Sequence, residues 1–176
     1  MNPTRSWLRR VVIGGSAASV ASASIVLERS RRETGAPLAG VNAISHWLHG
    51  PRAYAVDRGS WRHTPTGALI HHLSSFVWAA LYELLIVNVV RSPRGSDTPL
   101  RGQPTTADLI AGAVLVTGLA AWTDLRLVSP RLSPGFEHRL RPASVALVYG
   151  GFACGLALAG AAQRRGRLHP RSPRRR

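Results

Sequence analysis

The stretch 66–90 constrains this chain more than any other, because it is apolar for long enough to cross a bilayer and yet contains His71, His72 and Glu83. At ~1.5 Å of rise per residue, about 25 residues cover a hydrocarbon core of ~30 Å with some tilt. An ionisable side chain at membrane depth costs on the order of 2 to 3 kcal/mol on insertion scales. These three side chains must therefore face protein or water, and other helices are needed to shield them.

Three further apolar segments are available, and the charged residues lie between them. The pattern predicts an all-α membrane protein with four transmembrane helices, at about 8–27, 66–90, 106–128 and 142–162, plus a short interfacial helix in the first loop. Residues 1–163 form the membrane domain, and 164–176 read as a disordered Arg-rich tail. Seventeen apolar or small residues, 11–27, are at the short end for a span, and Trp7 and Leu8 extend them. A secretory signal is the alternative there, since Arg9 and Arg10 precede the apolar run and small residues end it. The retained helix is favoured because Gly14 with Ala18, and Gly15 with Ser19, place small residues on successive turns where a neighbouring helix can approach.

The 23 basic residues, all of them Arg, against 8 acids give a net charge of +15. Nucleic-acid binding would need a positive face free of lipid, whereas these arginines sit at segment ends, where topology and anionic headgroups account for them. The expected partners are accordingly the lipid bilayer with its anionic headgroups and a membrane-protein partner, with no nucleic acid. Four spans put both termini on one side, which carries 13 Arg against 9 in the first and third loops. That bias places the N- and C-termini in the cytoplasm. Cys154 is the only cysteine, so an internal disulfide is impossible.

Between the first two spans lies VNAISHWLHG. As a helix over 41–49 it would put Val41, Ile44 and Leu48 on one side and Asn42, Ser45, His46 and His49 on the other, until Gly50 and Pro51 end it. Trp47 and Trp61 suit headgroup depth. In the second span His71, Ser75, Trp78 and Tyr82 form one stripe and His72, Ser75, Ala79 and Glu83 an adjoining one. Leu69, Leu73, Leu84 and Leu85 supply apolar surface instead. Residues 91–104 are a turn region, and Thr105 or Thr106 can cap the third span with Asp108 in its first turn. Pro142 opens the last span, where Gly151, Gly155 and Ala159 share a close-packing stripe.

Depth brings the polar residues together. With this topology His71 and Asp124 each lie roughly 6 to 8 Å below the outer surface, near enough to meet. His63, the His46 and His49 pair, and Glu137 with His138 would lie above them as a polar pocket. Four histidines, His46, His49, His71 and His72, are the candidate metal ligands, since imidazoles suit zinc or copper and His46-x-x-His49 is a workable spacing on a helix. The same groups suit proton transfer near neutral pH. Structural histidines that hydrogen-bond between helices are the plainer reading of the same residues. Glu83 lies ~25 Å from the outer end by helix rise, too deep for that pocket. It is a relay candidate, or a helix-locking hydrogen bond, or the partner of an arginine in the second loop. The chain has no HExxH, CxxC or GxSxG motif and no phosphate-cradling glycine loop, so no cofactor is required and no catalytic residue is assigned.

At NAISHWLHG, RHTPTGALIHH and WAALYE the chain resembles a set of small four-helix bacterial inner-membrane proteins, and in hydropathy and loop layout it is similar to the YagU-like inner-membrane proteins. The resemblance implies inner-membrane placement and carries no reaction or ligand. The positions it covers are Asn42, Ser45, His46, Gly50, Arg62, His63, Thr64, Gly67, His71 or His72, Trp78, Tyr82 and Glu83. The expected function is a non-enzymatic accessory or small-solute, proton-linked factor with a His-rich outer pocket. A metal- or haem-dependent membrane enzyme using the outer histidines is the alternative.

Overall fold

The structure, a computed structural model, describes residues 3–91 and 104–168, and all regular structure among them is helical. Four stretches are long and apolar enough to cross a membrane: Thr4–Thr34, Thr64–Ile86, Thr106–Leu127 and Pro142–Arg164. They belong to helices α1 (Pro3–Thr34), α4 (Thr64–Arg91), α5 (Thr106–Trp122, continued by a π-helical turn Thr123–Leu127) and α6 (Pro142–Leu168). The expected span at 8–27 is the middle of a helix 32 residues long. Its last turns carry Glu28, Arg29, Arg31, Arg32 and Glu33, which pair at helical spacing, Arg31 with Glu28 at 3.0 Å and Arg29 with Glu33 at 2.9 Å. Such pairs let a helix continue beyond the apolar layer as a solvated rod.

Helix boundaries follow local chemistry. Pro65 and Pro142 occupy first-turn positions, where a missing N–H breaks no helical hydrogen bond. Thr105 caps α5: its hydroxyl accepts from the Asp108 amide at 3.1 Å, and its own amide donates to the Asp108 carboxylate at 2.8 Å. The expected turn region lies mostly at 92–103, outside the described residues. The tail also falls largely outside them, and α6 itself runs to Leu168, so the first residues of that segment continue the helix.

The bundle is closed by small residues. A Cβ on Gly155 of α6 would lie 2.6 Å from the Ala18 Cα of α1, and one on Gly15 would lie 2.3 Å from the Phe76 ring of α4. Only hydrogen fits at these crossings. Ala18, Tyr82, Leu109, Val116 and Leu156 form the inner part of the core, and Val26, Val41, Ile44, Phe136 and Val148 the outer part. Val20, Leu69, Leu73, Leu84, Val114 and Leu158 are exposed, as lipid-facing positions should be. Leu85 instead packs against the core.

The short helix expected in the first loop is present in two pieces, α2 (Ala39–Ile44) and α3 (His46–His49), with a 3₁₀ turn at Pro51–Ala55. Its faces differ from the expectation: Asn42, Ser45 and His46 are buried, while Leu48 is 70% exposed. The reason is hydrogen bonding. The Asn42 amide donates to the carbonyls of Val56 and Arg58, both at 2.9 Å, and its oxygen accepts from the Thr64 hydroxyl at 2.7 Å. One side chain thus ties the loop to the start of α4. Gly67 permits this contact, since any Cβ there would fall 1.9 Å from the Val41 carbonyl oxygen. The segment is folded into one mouth of the bundle as a plug.

Candidate functional site

Beneath that plug lies a cavity of about 280 Å³ between α4, α5 and α6. α4 contributes His71, Ser74, Ser75 and Trp78, and α5 with its π turn contributes Thr123 and Asp124. Ser22 of α1 and Tyr149 and Phe152 of α6 complete the walls, and Trp47 and Phe136 come from the two outer loops. The π turn matters here, because a widened turn changes the direction of the side chains it carries.

Two polar pairs face this space. A His71 ring nitrogen, Nε2, lies 2.9 Å from the Ser22 hydroxyl, which also donates to the Ala18 carbonyl at 2.8 Å. The Tyr149 hydroxyl donates to Asp124 Oδ2 at 3.0 Å. His71 and Asp124 are thus on the wall of one cavity, each held by a side chain from another helix. Trp47 is pinned by its indole N–H, which donates to the Ser133 carbonyl at 2.7 Å. Gly135 makes that loop possible: with φ 87° it sits where only hydrogen is tolerated, within 2.7 Å of His46 Nδ1 at the position a Cβ would take.

The other sequence candidates go to separate places. His46 has one ring nitrogen 2.9 Å from the Ala43 carbonyl oxygen and the other 3.1 Å from that of Pro130. His49 accepts from Arg62 Nε at 3.3 Å and lies edge-on to His63 at 5.0 Å. His63 contacts the Ser60 hydroxyl at 3.0 Å. Burial, with His49 and Arg62 beside it, holds the His63 imidazole below its ordinary pKa. His72 packs its ring edge-on to Phe76 at 4.6 Å. The four candidate metal ligands, His46, His49, His71 and His72, are therefore not gathered, and among the described residues no three His, Cys, Asp or Glu side chains form a ligand set. A ligand site needs converging lone pairs, and these rings are turned to different partners.

Above the plug, Tyr54 is stacked between His46 at 4.9 Å and His138 at 4.4 Å. Burial and the nearby Glu137 carboxylate raise the Tyr54 phenol above its ordinary pKa. Arg139 donates to the Tyr54 carbonyl and to Asp57, joining the first and third loops. Glu137 and His138 are neighbours at 3.8 Å and belong to this roof. Glu137 also lines a groove of about 630 Å³ on the outside of α5 and α6 with Thr117, Gly118 and Gly150. That groove is the larger space, yet its walls are nearly all small or aliphatic.

Glu83 is indeed remote from the cavity, near the opposite end of α4. Among the described residues its partner is Arg10 of α1, whose Nε donates to Oε2 at 2.6 Å, while the second-loop arginines lie outside the residues whose side chains are described. The residues that the sequence reading passed over are Ser22, Tyr149 and Arg10. Tyr149 had a signal, a lone phenol in an otherwise apolar span, while Ser22 is hidden in a run of serines and alanines that reads only as small. No protein-family model, curated protein or solved structure matches the chain.

Proposed function

We propose that this chain is a multi-pass bacterial inner-membrane protein, with both termini cytoplasmic, that holds a small solute in the cavity between α4, α5 and α6 and exchanges protons with it through His71 and Asp124. The observation that carries the reading is the presence of an imidazole and a carboxylate on the wall of one mostly apolar cavity within the membrane-length helices. Ionisable groups inside a membrane protein mark ligand or proton pathways more often than packing sites. A space of about 280 Å³ is at the small end of the range, ~300 to 1,000 Å³, that holds drug-sized ligands. The exposed Val77 and Leu132 on its rim put an entrance on the lateral side of the bundle. Leu48 and the fully exposed Trp61 sit on the plug and the loop after it, the positions expected to rest at headgroup depth.

A small membrane-soluble aromatic diazirine tests the reading. In lipid nanodiscs, photolysis should modify peptides carrying Ser75, Thr123 and Val148, as well as lipid-facing positions such as Val20 and Leu158. Ala120→Phe fills the space from a buried wall position, and should abolish only the first set. Labelling confined to lipid-facing residues in the natural protein would sink the proposal. Reporter fusions at the C-terminus test the orientation, and activity of a periplasmic reporter there would overturn it.

A further inference from the structure

The walls of the cavity specify the charge of its occupant. Asp124 accepts one hydrogen bond among the described residues, from Tyr149, whereas a carboxylate has about four acceptor positions. Among the described residues no arginine lines the space, although the chain carries 23 basic residues and uses Arg10 to neutralise Glu83 elsewhere in the bundle. Five aromatic side chains, Trp47, Trp78, Phe136, Tyr149 and Phe152, share the wall with aliphatic residues and hydroxyl groups. A desolvated carboxylate without a cationic partner is costly, and aromatic faces attract cations and not anions.

Resting on the solute-binding reading, we propose that the occupant is an organic cation, an ammonium group on a small apolar body, with Asp124 as its counter-ion and the aromatic side chains as its wall. The ammonium meets the carboxylate where Tyr149 leaves acceptor capacity, and the apolar body fills the space toward Ile70, Val148 and Phe152. His71, engaged with Ser22, supplies a hydrogen-bonding edge and does not compete for the charge. An anionic solute would face Asp124 with no arginine among the described residues of the cavity wall to receive it, and with His71 already engaged by Ser22.

Phenyltrimethylammonium and tert-butylbenzene have the same shape and differ in one atom and one permanent charge. Each is used to protect the cavity of the full chain in nanodiscs from the diazirine, with concentrations referred to the bilayer phase. The cation should protect at a concentration on the order of 10-fold lower. Asp124→Asn, which keeps an acceptor for Tyr149, should erase that preference, and Asp124→Glu should retain it. Equal protection by the two compounds, or better protection by the neutral one, overturns the cation assignment and leaves the solute-binding reading standing. Failure of the natural protein's cavity to label at all overturns both. The comparison of the two compounds needs no variant, so a poorly folding Asp124→Asn leaves the outcome decisive.

Discussion

Along the seam between α1 and α6 small residues face each other, with Gly155 set against Ala17 and Ala18, where the backbones approach until a Cβ would collide, and with the Cβ position of Gly151 3.4 Å from the Ala21 carbonyl oxygen. Across the bundle, between α4 and the end of α5, the facing residues include Trp78, Thr123 and Asp124, and a cavity remains. The contrast shows how one bundle combines rigidity with a binding space. Small residues maximise van der Waals contact where water offers no hydrophobic drive, so the first seam acts as a brace. Large and polar side chains hold the second seam apart, and the plug of α2 and α3 roofs the space that results.

Breaking the brace should have the largest effect. Gly155→Leu forces a side chain into the Ala18 backbone, and is expected to cost more than ~3 kcal/mol, enough to lose the folded state in a denaturing-detergent titration. A variant that remains as stable as the natural protein would show that the seam is not tight. Next is the ion pair that joins α1 to α4 at the end of the bundle away from the plug. Glu83→Gln leaves the Arg10 guanidinium, 19% exposed, without its charge partner, and should cost about 3 kcal/mol in the same titration. Removing Arg10 as well, as Arg10→Met with Glu83→Gln, should recover part of that loss, and an additive double variant would refute the pairing.

The plug sharpens the comparison from the other side. Asn42→Ala removes two hydrogen bonds within the first loop and one to the start of α4, and should destabilise by about 2 kcal/mol while opening amides near Val56 to hydrogen exchange. Unchanged protection there would mean the plug is held by packing alone. The smallest effect is expected at Gly118, which lies on the outer groove with nothing within 4 Å of a Cβ position. Gly118→Ala should change stability by less than ~1 kcal/mol, and in the favourable direction. A large loss would reveal that something occupies the α5 and α6 groove in the membrane.

The sequence by itself determined the four long apolar helices and the proline and threonine starts. These are local properties: hydropathy over a span's length and the chemistry of a helix end need no partner to be read. It also placed His71 and Asp124 at one depth, because helix rise is a fixed length per residue. Only the tertiary structure decided that Ser22 holds His71 and Tyr149 holds Asp124, that Arg10 of α1 meets Glu83, and that Asn42, Ser45 and His46 of VNAISHWLHG turn inward. Those outcomes depend on the rotation of each helix about its axis and on which neighbour lies against it. An apolar span carries little of that information along its length, since lipid and a helical neighbour are equally apolar, and it is the few polar side chains that choose by finding partners far away in the chain.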